Sequence, residues 1–348
     1  MICFEEQQEL IASIRDYVDA QIDQIPSEER RQERRHVLDK VHQELYALGV
    51  MGLEETALWR CGTSMTVGIL AQLARMDAGL ALRVHRQALL SVMADALPAW
   101  PSDASVGCCW HGRYGIGRSG LMTWWQNPAM VPDVLLDVFD GSTPRLVLLH
   151  PSQTTVLLPV ATPEGFYIYR QDVSRLPSVS HLGLSYLRAV HVAAEHGAQL
   201  ESLLPVHLAQ RSWHREWLAL LTIQYGCLLQ ALERARAFAR IRYQGGSFII
   251  DHPAVQQLIG EAEHAVLTMQ AFLAQPLDTP VFETTLPKQR PWLEAMMRKG
   301  LDGCLQVLGG SGYMLDVGLA MPWQDVHALG QLSGGRFDML ALAAELGR

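Results

Sequence analysis

Lysine is almost missing from this chain of 348 residues: it stands only at Lys40, Lys288 and Lys299, so nearly all positive charge is arginine. Charge of either sign is sparse at 18%, and aromatic residues make up 7%. Lys+Arg 28 against Asp+Glu 36 leaves a formal net charge of -8, and no dense basic cluster breaks the pattern. That argues against a dedicated nucleic-acid binder, which shows a basic face. Cys3, Cys61, Cys108, Cys109, Cys227 and Cys304 form no CxxC pair, so neither a zinc site nor a disulfide framework is expected, and they read as buried thiols. No apolar run approaches the roughly 20 residues of a membrane span. Met1 to Glu6 runs into acidic side chains without a basic and apolar leader. The expectation is a cytoplasmic protein with neither nucleic acid nor membrane as partner. What is present is 49% hydrophobic with a mean hydropathy of +0.07, enough to bury a large core.

Periodicity divides the chain. Leu10, Ile11, Ile14, Val18 and Ile22 follow helical spacing and predict an amphipathic helix from Phe4 to about Ile22. A charged stretch from Pro26 to Arg35 leads into a second helix that stops near Leu48 and Gly49. Two more helices are expected over about 64–76 and 81–97, the first apolar on most sides and therefore central. From about Ser105 the runs shorten and become β-prone: 146–149, 155–158 and 166–169, separated by Gly, Pro, Gln and Ser, read as antiparallel strands. Long helical patterns then return over 207–243, 253–273, 291–308 and about 322–346. The predicted class is mainly α with a small β domain: an N-terminal helical domain at 1–104, a central β-barrel-like domain at 105–200 and a C-terminal four-helix bundle at 201–348.

Several stretches in that order resemble the acyl-CoA dehydrogenase family. Gln306-Val-Leu-Gly309-Gly310-Ser-Gly312-Tyr313 is similar to the family's Gly-Gly turn near the C-terminus. Arg242-Tyr-Gln-Gly245-Gly246 resembles its Arg-x-x-Phe-Gly, with Gly245 where phenylalanine is expected. The run from Leu73 through Met76-Asp77 to Leu82 and His85, and Leu48-Gly49 to Gly52-Leu53, are similar to its N-terminal helices. Ser119-Gly120 to Trp124-Trp125-Gln126-Asn127 resembles the strand that flanks the flavin ring. The resemblance implies FAD as cofactor, with Arg242 facing its pyrophosphate, where a guanidinium offers a fork of donors. It implies that Gln306, Gly309 and Gly310 line the FAD of a neighbouring subunit, and that Trp124 and Asn127 lie against the ring. It also implies a homodimer or homotetramer, an acyl thioester substrate on coenzyme A or a carrier protein, and an electron-transfer flavoprotein or oxygen as electron acceptor. The other reading of Gly309-Gly310 is a plain helix cap, and of Arg242 a surface arginine.

The family's reaction removes a proton beside a thioester carbonyl and a hydride from the next carbon, so a carboxylate must serve as base in a dry site. Most members carry it in a loop after the Gly-Gly turn. The corresponding stretch here, Leu332-Ser333-Gly334-Gly335, holds no carboxylate. Other members carry the base on the first long C-terminal helix, and there Glu216, in Trp213-His-Arg-Glu216-Trp217, is the candidate. The two positions can point at one substrate atom. The alternative is a solvated helix glutamate paired with Arg215 or other nearby charges. Further departures are the flavin loop, not visible between Gly107 and Ser119, Pro253 in place of a flavin-contacting glutamine, and Gln324 in place of the arginine beside Asp325. They keep a second function open: a non-catalytic or flavin-free subunit that assembles with an active partner. A flavin monooxygenase on the same fold is a third.

Two glycine and histidine patterns carry no function. Gly112 to Gly120 has no βαβ unit around it, so a turn is the default. His191, His196, His207 and His214 lack metal-ligand spacing, and no metal is expected.

Overall fold

The computed structural model describes residues 4–48, 50, 58–59, 62–93, 105–106, 145–162, 165–192, 199–204, 206–315 and 319–334, with a few single positions beyond. Trp124, Asn127 and the stretch 107–144 lie outside the described residues.

Four helices come first: α1 (Phe4–Ile22), α2 (Arg31–Ala47), α3 (Thr63–Met76) and α4 (Ala78–Met93). Each of the four expected helices is there, and α4 starts three residues before its predicted start at 81. The reason is Asp77, whose Oδ1 accepts the Leu80 N–H at 2.9 Å while Oδ2 pairs with Arg34 at 2.7 Å. A capping carboxylate held by a guanidinium closes α3 and opens α4 in one residue. The sequence pattern of α3 is explained by its position: ten of its side chains, Thr63 to Met76, are buried, between α1 on one side and a long C-terminal helix on the other.

Among the described residues six strands follow: β1 (Ser105–Val106), β2 (Arg145–Leu149), β3 (Thr155–Thr162), β4 (Gly165–Asp172), β5 (Arg188–Val192) and β6 (Gln199–Leu204). One sheet has the order β1-β3-β4-β6, with β1 parallel to β3 and the other pairs antiparallel; β2 pairs with β5 in a separate antiparallel ribbon. Val147 and Leu149 of β2 join Val156, Leu158, Val190 and Val192 in a small core of the strands' own. Leu148, pointing to the opposite face as strand alternation requires, joins the helical core instead.

The C-terminal part holds α5 (Val206–Ile241), α6 (Pro253–Leu273), α7 (Pro280–Leu308) and α8 (Ala320–Leu329). With 36 residues, α5 runs about 54 Å and crosses α3, α4, α6, α7 and α8. Between α5 and α6 sits a two-residue hairpin, β7 (Tyr243–Gln244) and β8 (Ser247–Phe248), turned by Gly245 and Gly246 at φ 60° and 94°. A turn with positive φ at both central residues explains why glycine replaces phenylalanine at 245. Pro253 opens α6 at its first turn, where a missing N–H leaves nothing unpaired.

Two further boundaries differ from the sequence expectation. Helix α7 begins at Pro280, not Pro291, and carries Pro287 and Pro291 inside it. Thr279 caps it, accepting the Phe282 N–H, and the burial of Leu286, Pro287, Arg290, Pro291, Leu293 and Glu294 outweighs the two missing ladder bonds. The last predicted helix, 322–346, is interrupted: α8 stops at Leu329, the chain turns through Gly330 to Gly334, and the described positions 336, 339, 340 and 344 are helical again.

Helices α3 and α5 touch at backbone distance. A Cβ added at Gly226 would lie 2.3 Å from the Ala71 carbonyl oxygen and 2.6 Å from the Ala74 Cβ. Gly226→Ala is therefore expected to destabilise the protein by about 1–3 kcal/mol through overpacking, seen as a lower midpoint in urea unfolding. An unchanged midpoint would show that α3 and α5 can move apart freely.

Candidate active site

The N-terminal helices, the strands and the C-terminal bundle meet at one fully buried carboxylate, that of Glu216 on α5. Its Oε1 accepts from Arg86 Nη2 at 3.2 Å and from Ser333 Oγ at 3.1 Å. Its Oε2 accepts from His85 Nε2 at 2.6 Å. His85 and Arg86 are consecutive on α4 and equally buried, and Arg86 also donates through Nη1 to the Leu148 carbonyl of β2 at 3.0 Å. Arg215 does not pair with Glu216: its guanidinium lies 5.4 Å over the Trp59 ring and donates to the Trp59 carbonyl. Glu216 is thus neither solvated nor held by its chain neighbour.

Burial by itself would push the Glu216 carboxyl up. The Arg86 guanidinium and the hydrogen bond from His85 overcome that and hold it down to about 2.

The turn after α8 reaches Glu216 because its backbone is clamped. The Ser333 carbonyl accepts from Trp217 Nε1 at 2.8 Å and from Arg290 Nη1 at 3.1 Å, and Arg290 Nη2 donates to the Leu332 carbonyl at 2.9 Å. Arg290 in turn is paired with Glu294 at 2.8 Å, and Gln224 donates to the same Glu294 oxygen at 3.3 Å. Ser333 takes φ 54° and Gly334 φ 89°, so the turn is tight as well as fastened. Of the two places where sequence reasoning looked for the base, the helix position Glu216 is therefore in contact with Ser333 of the other.

The other candidate residues lie elsewhere. Arg242 is exposed, and its side chain makes no hydrogen bond to a described residue; its backbone N–H caps onto the Phe238 carbonyl and its carbonyl accepts from Ile249. Gln306 is exposed near the end of α7, and Gly309 and Gly310 follow it, the first at φ 58°. Open space surrounds the Cβ positions of both glycines. A free guanidinium and an uncovered glycine pair leave room for an anionic group to approach the backbone, so these residues fit the phosphate-bearing part of a dinucleotide. Asp325 is buried and accepts the Leu184 N–H, which makes it a clamp on the loop before β5. Among the described residues no group of three His, Cys, Asp or Glu could hold a metal, and no helix is long and apolar enough to cross a membrane. Cys227 and Cys304 are buried thiols.

His85, Arg86, Trp59, Ser333, Arg290 and Glu294 were not picked out by sequence reasoning as site residues. Arg290 and Glu294 did carry a signal, an i, i+4 pair inside a helix, but that spacing belongs to countless solvated helix faces.

Residues 206–336 match the family model for the acyl-CoA dehydrogenase C-terminal domain. Residues 206–336 carry the C-terminal domain of that family. Solved structures extend the fold over the chain's whole length. Glutaryl-CoA dehydrogenase from Mycobacterium smegmatis is 13% identical with a TM-score of 0.76, covering 99% of this chain and 95% of that one. Butyryl-CoA dehydrogenase from Megasphaera elsdenii is 12% identical with a TM-score of 0.72, each chain covered completely at 100%. The prolyl acyl carrier protein oxidase AnaB is also 12% identical, with a TM-score of 0.71 and 99% of both chains covered. No curated protein sequence matches this acyl-CoA dehydrogenase-like chain. The mainly α architecture with a small β region is the acyl-CoA dehydrogenase fold.

Proposed function

We propose that this chain oxidises the α,β bond of an acyl thioester with FAD, and that Glu216 takes the α-proton. The observation that supports this reading is a dry carboxylate on α5 in hydrogen-bond contact with the turn after α8, where the carboxyl-bearing loop of the family falls. When bound, FAD would supply the hydride acceptor for the β-carbon, with an electron-transfer flavoprotein or oxygen as the final electron sink. Arg242, Gln306, Gly309 and Gly310 are the residues that would hold FAD, as part of a site shared between subunits of a homo-oligomer.

The chain's own part is electrostatic. Glu216 is ionised at any working pH because Arg86 stands beside it. Accepting a proton discharges Glu216 and leaves the Arg86 charge in a dry place, where negative charge developing on the thioester can meet it. Arg86 therefore weakens the base in the resting protein and favours the charged stage of the reaction. The acyl group is carried on coenzyme A or on a carrier protein, as it is in the relatives' names.

A second reading, a non-catalytic or flavin-free subunit, draws on the same site. Three donors satisfy the carboxylate, which is also how a purely structural buried ion pair looks.

Flavin content separates the two. Purified protein is expected to carry FAD near one per chain, visible in its absorption spectrum and released on denaturation, and to reduce a dye with an acyl thioester. Arg242→Ala is expected to weaken FAD binding about tenfold to a hundredfold, the worth of a charge-assisted hydrogen bond. Protein that takes up no flavin from added FAD would decide for the subunit.

A further inference from the structure

We propose that Trp59 is a positioning residue for Glu216, acting through His85: it fixes the imidazole as the neutral tautomer with its proton on Nε2. Trp59 Nε1 donates to His85 Nδ1 at 3.0 Å, and an indole N–H can only donate. Nδ1 must therefore present a lone pair. On the other side of the ring, Nε2 stands 2.6 Å from a carboxylate oxygen, which can only accept. One arrangement satisfies both neighbours: bare Nδ1 and protonated Nε2. An imidazolium would set two N–H groups head to head against Trp59.

Trp59 is held to this task at some strain. Its φ is 67°, a region that bulky side chains rarely enter and that persists where surroundings over-determine it. Four contacts do so: its N–H donates to Thr66 Oγ1 at 2.8 Å, its carbonyl accepts from Arg215, its ring lies under the Arg215 guanidinium, and its indole reaches His85. Arg215 and Glu216 are neighbours on α5, so one turn of that helix grips both ends of the Trp59–His85 chain.

The consequence concerns where the proton goes. A carboxylate offers about four lone-pair positions, and Arg86, Ser333 and His85 fill three of them. The remaining position is on Oε2, the oxygen that His85 holds in place. His85 has no vacant nitrogen for a second proton, so a proton taken by Glu216 stays on Glu216. This consequence rests on the dehydrogenase reading; the tautomer does not.

Nitrogen-15 NMR of histidine-labelled protein, without flavin or substrate, tests the tautomer. The His85 signals, identified by their loss in His85→Gln, are expected to show a proton on Nε2 and none on Nδ1. Trp59→Phe keeps a ring under Arg215 and removes the donor, so the Nδ1 resonance is expected to move to that of a nitrogen without a hydrogen bond. A protonated Nδ1 in the unaltered protein, or an unmoved Nδ1 resonance in Trp59→Phe, overturns the proposal. If Trp59→Phe does not fold, the spectrum of the unaltered protein decides. In turnover, Trp59→Phe is expected to lower kcat about tenfold to a hundredfold with KM little changed. His85→Gln, whose amide can both accept from Trp59 and donate to Glu216, is expected to lose less of kcat than His85→Ala, which removes both contacts. Absence of turnover in the unaltered protein would sink the dehydrogenase reading while the NMR result stood, so the two failures are distinct.

Discussion

Glu216→Gln is expected to destabilise the protein by about 3–5 kcal/mol, and adding Arg86→Met is expected to recover most of that loss. The single substitution leaves a guanidinium that is 1% exposed without its counter-charge, in the place where α4, α5 and β2 meet. The double substitution removes both charges together and replaces the arginine with a flexible apolar side chain. Urea unfolding of the unaltered protein, the two single variants and the double variant measures the coupling. Costs that simply add would show that Arg86 and Glu216 do not depend on each other. The same pair fixes a pH dependence. The carboxyl is held below its usual 4.5, with the Arg86 guanidinium as the main cause, so the stability it contributes is complete above pH 4.5 and is lost as the pH falls below that. In the double variant this part of the acid sensitivity is expected to be missing.

Turnover is the second large effect. Glu216→Asp keeps the charge beside Arg86, so the fold is retained, but draws the carboxylate back by one methylene. Oxidation of an acyl thioester is expected to fall about a hundredfold, since a displacement near 1 Å costs that much. In the folded Glu216→Gln, Arg86→Met variant, with no base at all, the loss is expected to reach about 100-fold to 10,000-fold. Dye reduction measures the whole oxidation, and exchange of deuterium into the α-position measures the proton step by itself. Full exchange in the double variant would remove Glu216 from the chemistry and leave the buried ion pair as a structural device.

The series of helices and strands was legible because its signals are local. The periodicity of α1, the apolar run of α3 and the β-prone runs of β2, β3 and β4 each depend on residues within one element. The two larger boundary errors came from the same locality. Pro291 read as a helix start, and only the cap at Thr279 and the buried face of α7 show that the helix runs through it and through Pro287. The last helix looked continuous from Pro322 onward, and only tertiary contact shows why it breaks: Arg290 and Trp217 hold the carbonyls of a turn at Leu332 and Ser333.

By itself the sequence determined the mainly α class, the place of the β region, and Glu216 as the one carboxylate worth naming on α5. It did so because hydrophobic spacing and a missing loop carboxylate can be read along the chain. The charge state of that glutamate was decided by tertiary structure alone. Arg86 lies 130 residues away in sequence, Ser333 117 and His85 131, and each contributes through a hydrogen bond that no spacing rule connects. A lone glutamate in a helix is solvated by default; it becomes a dry, ion-paired carboxylate only when three distant elements close over it, because a buried charge is tolerated only where its partners are already in place.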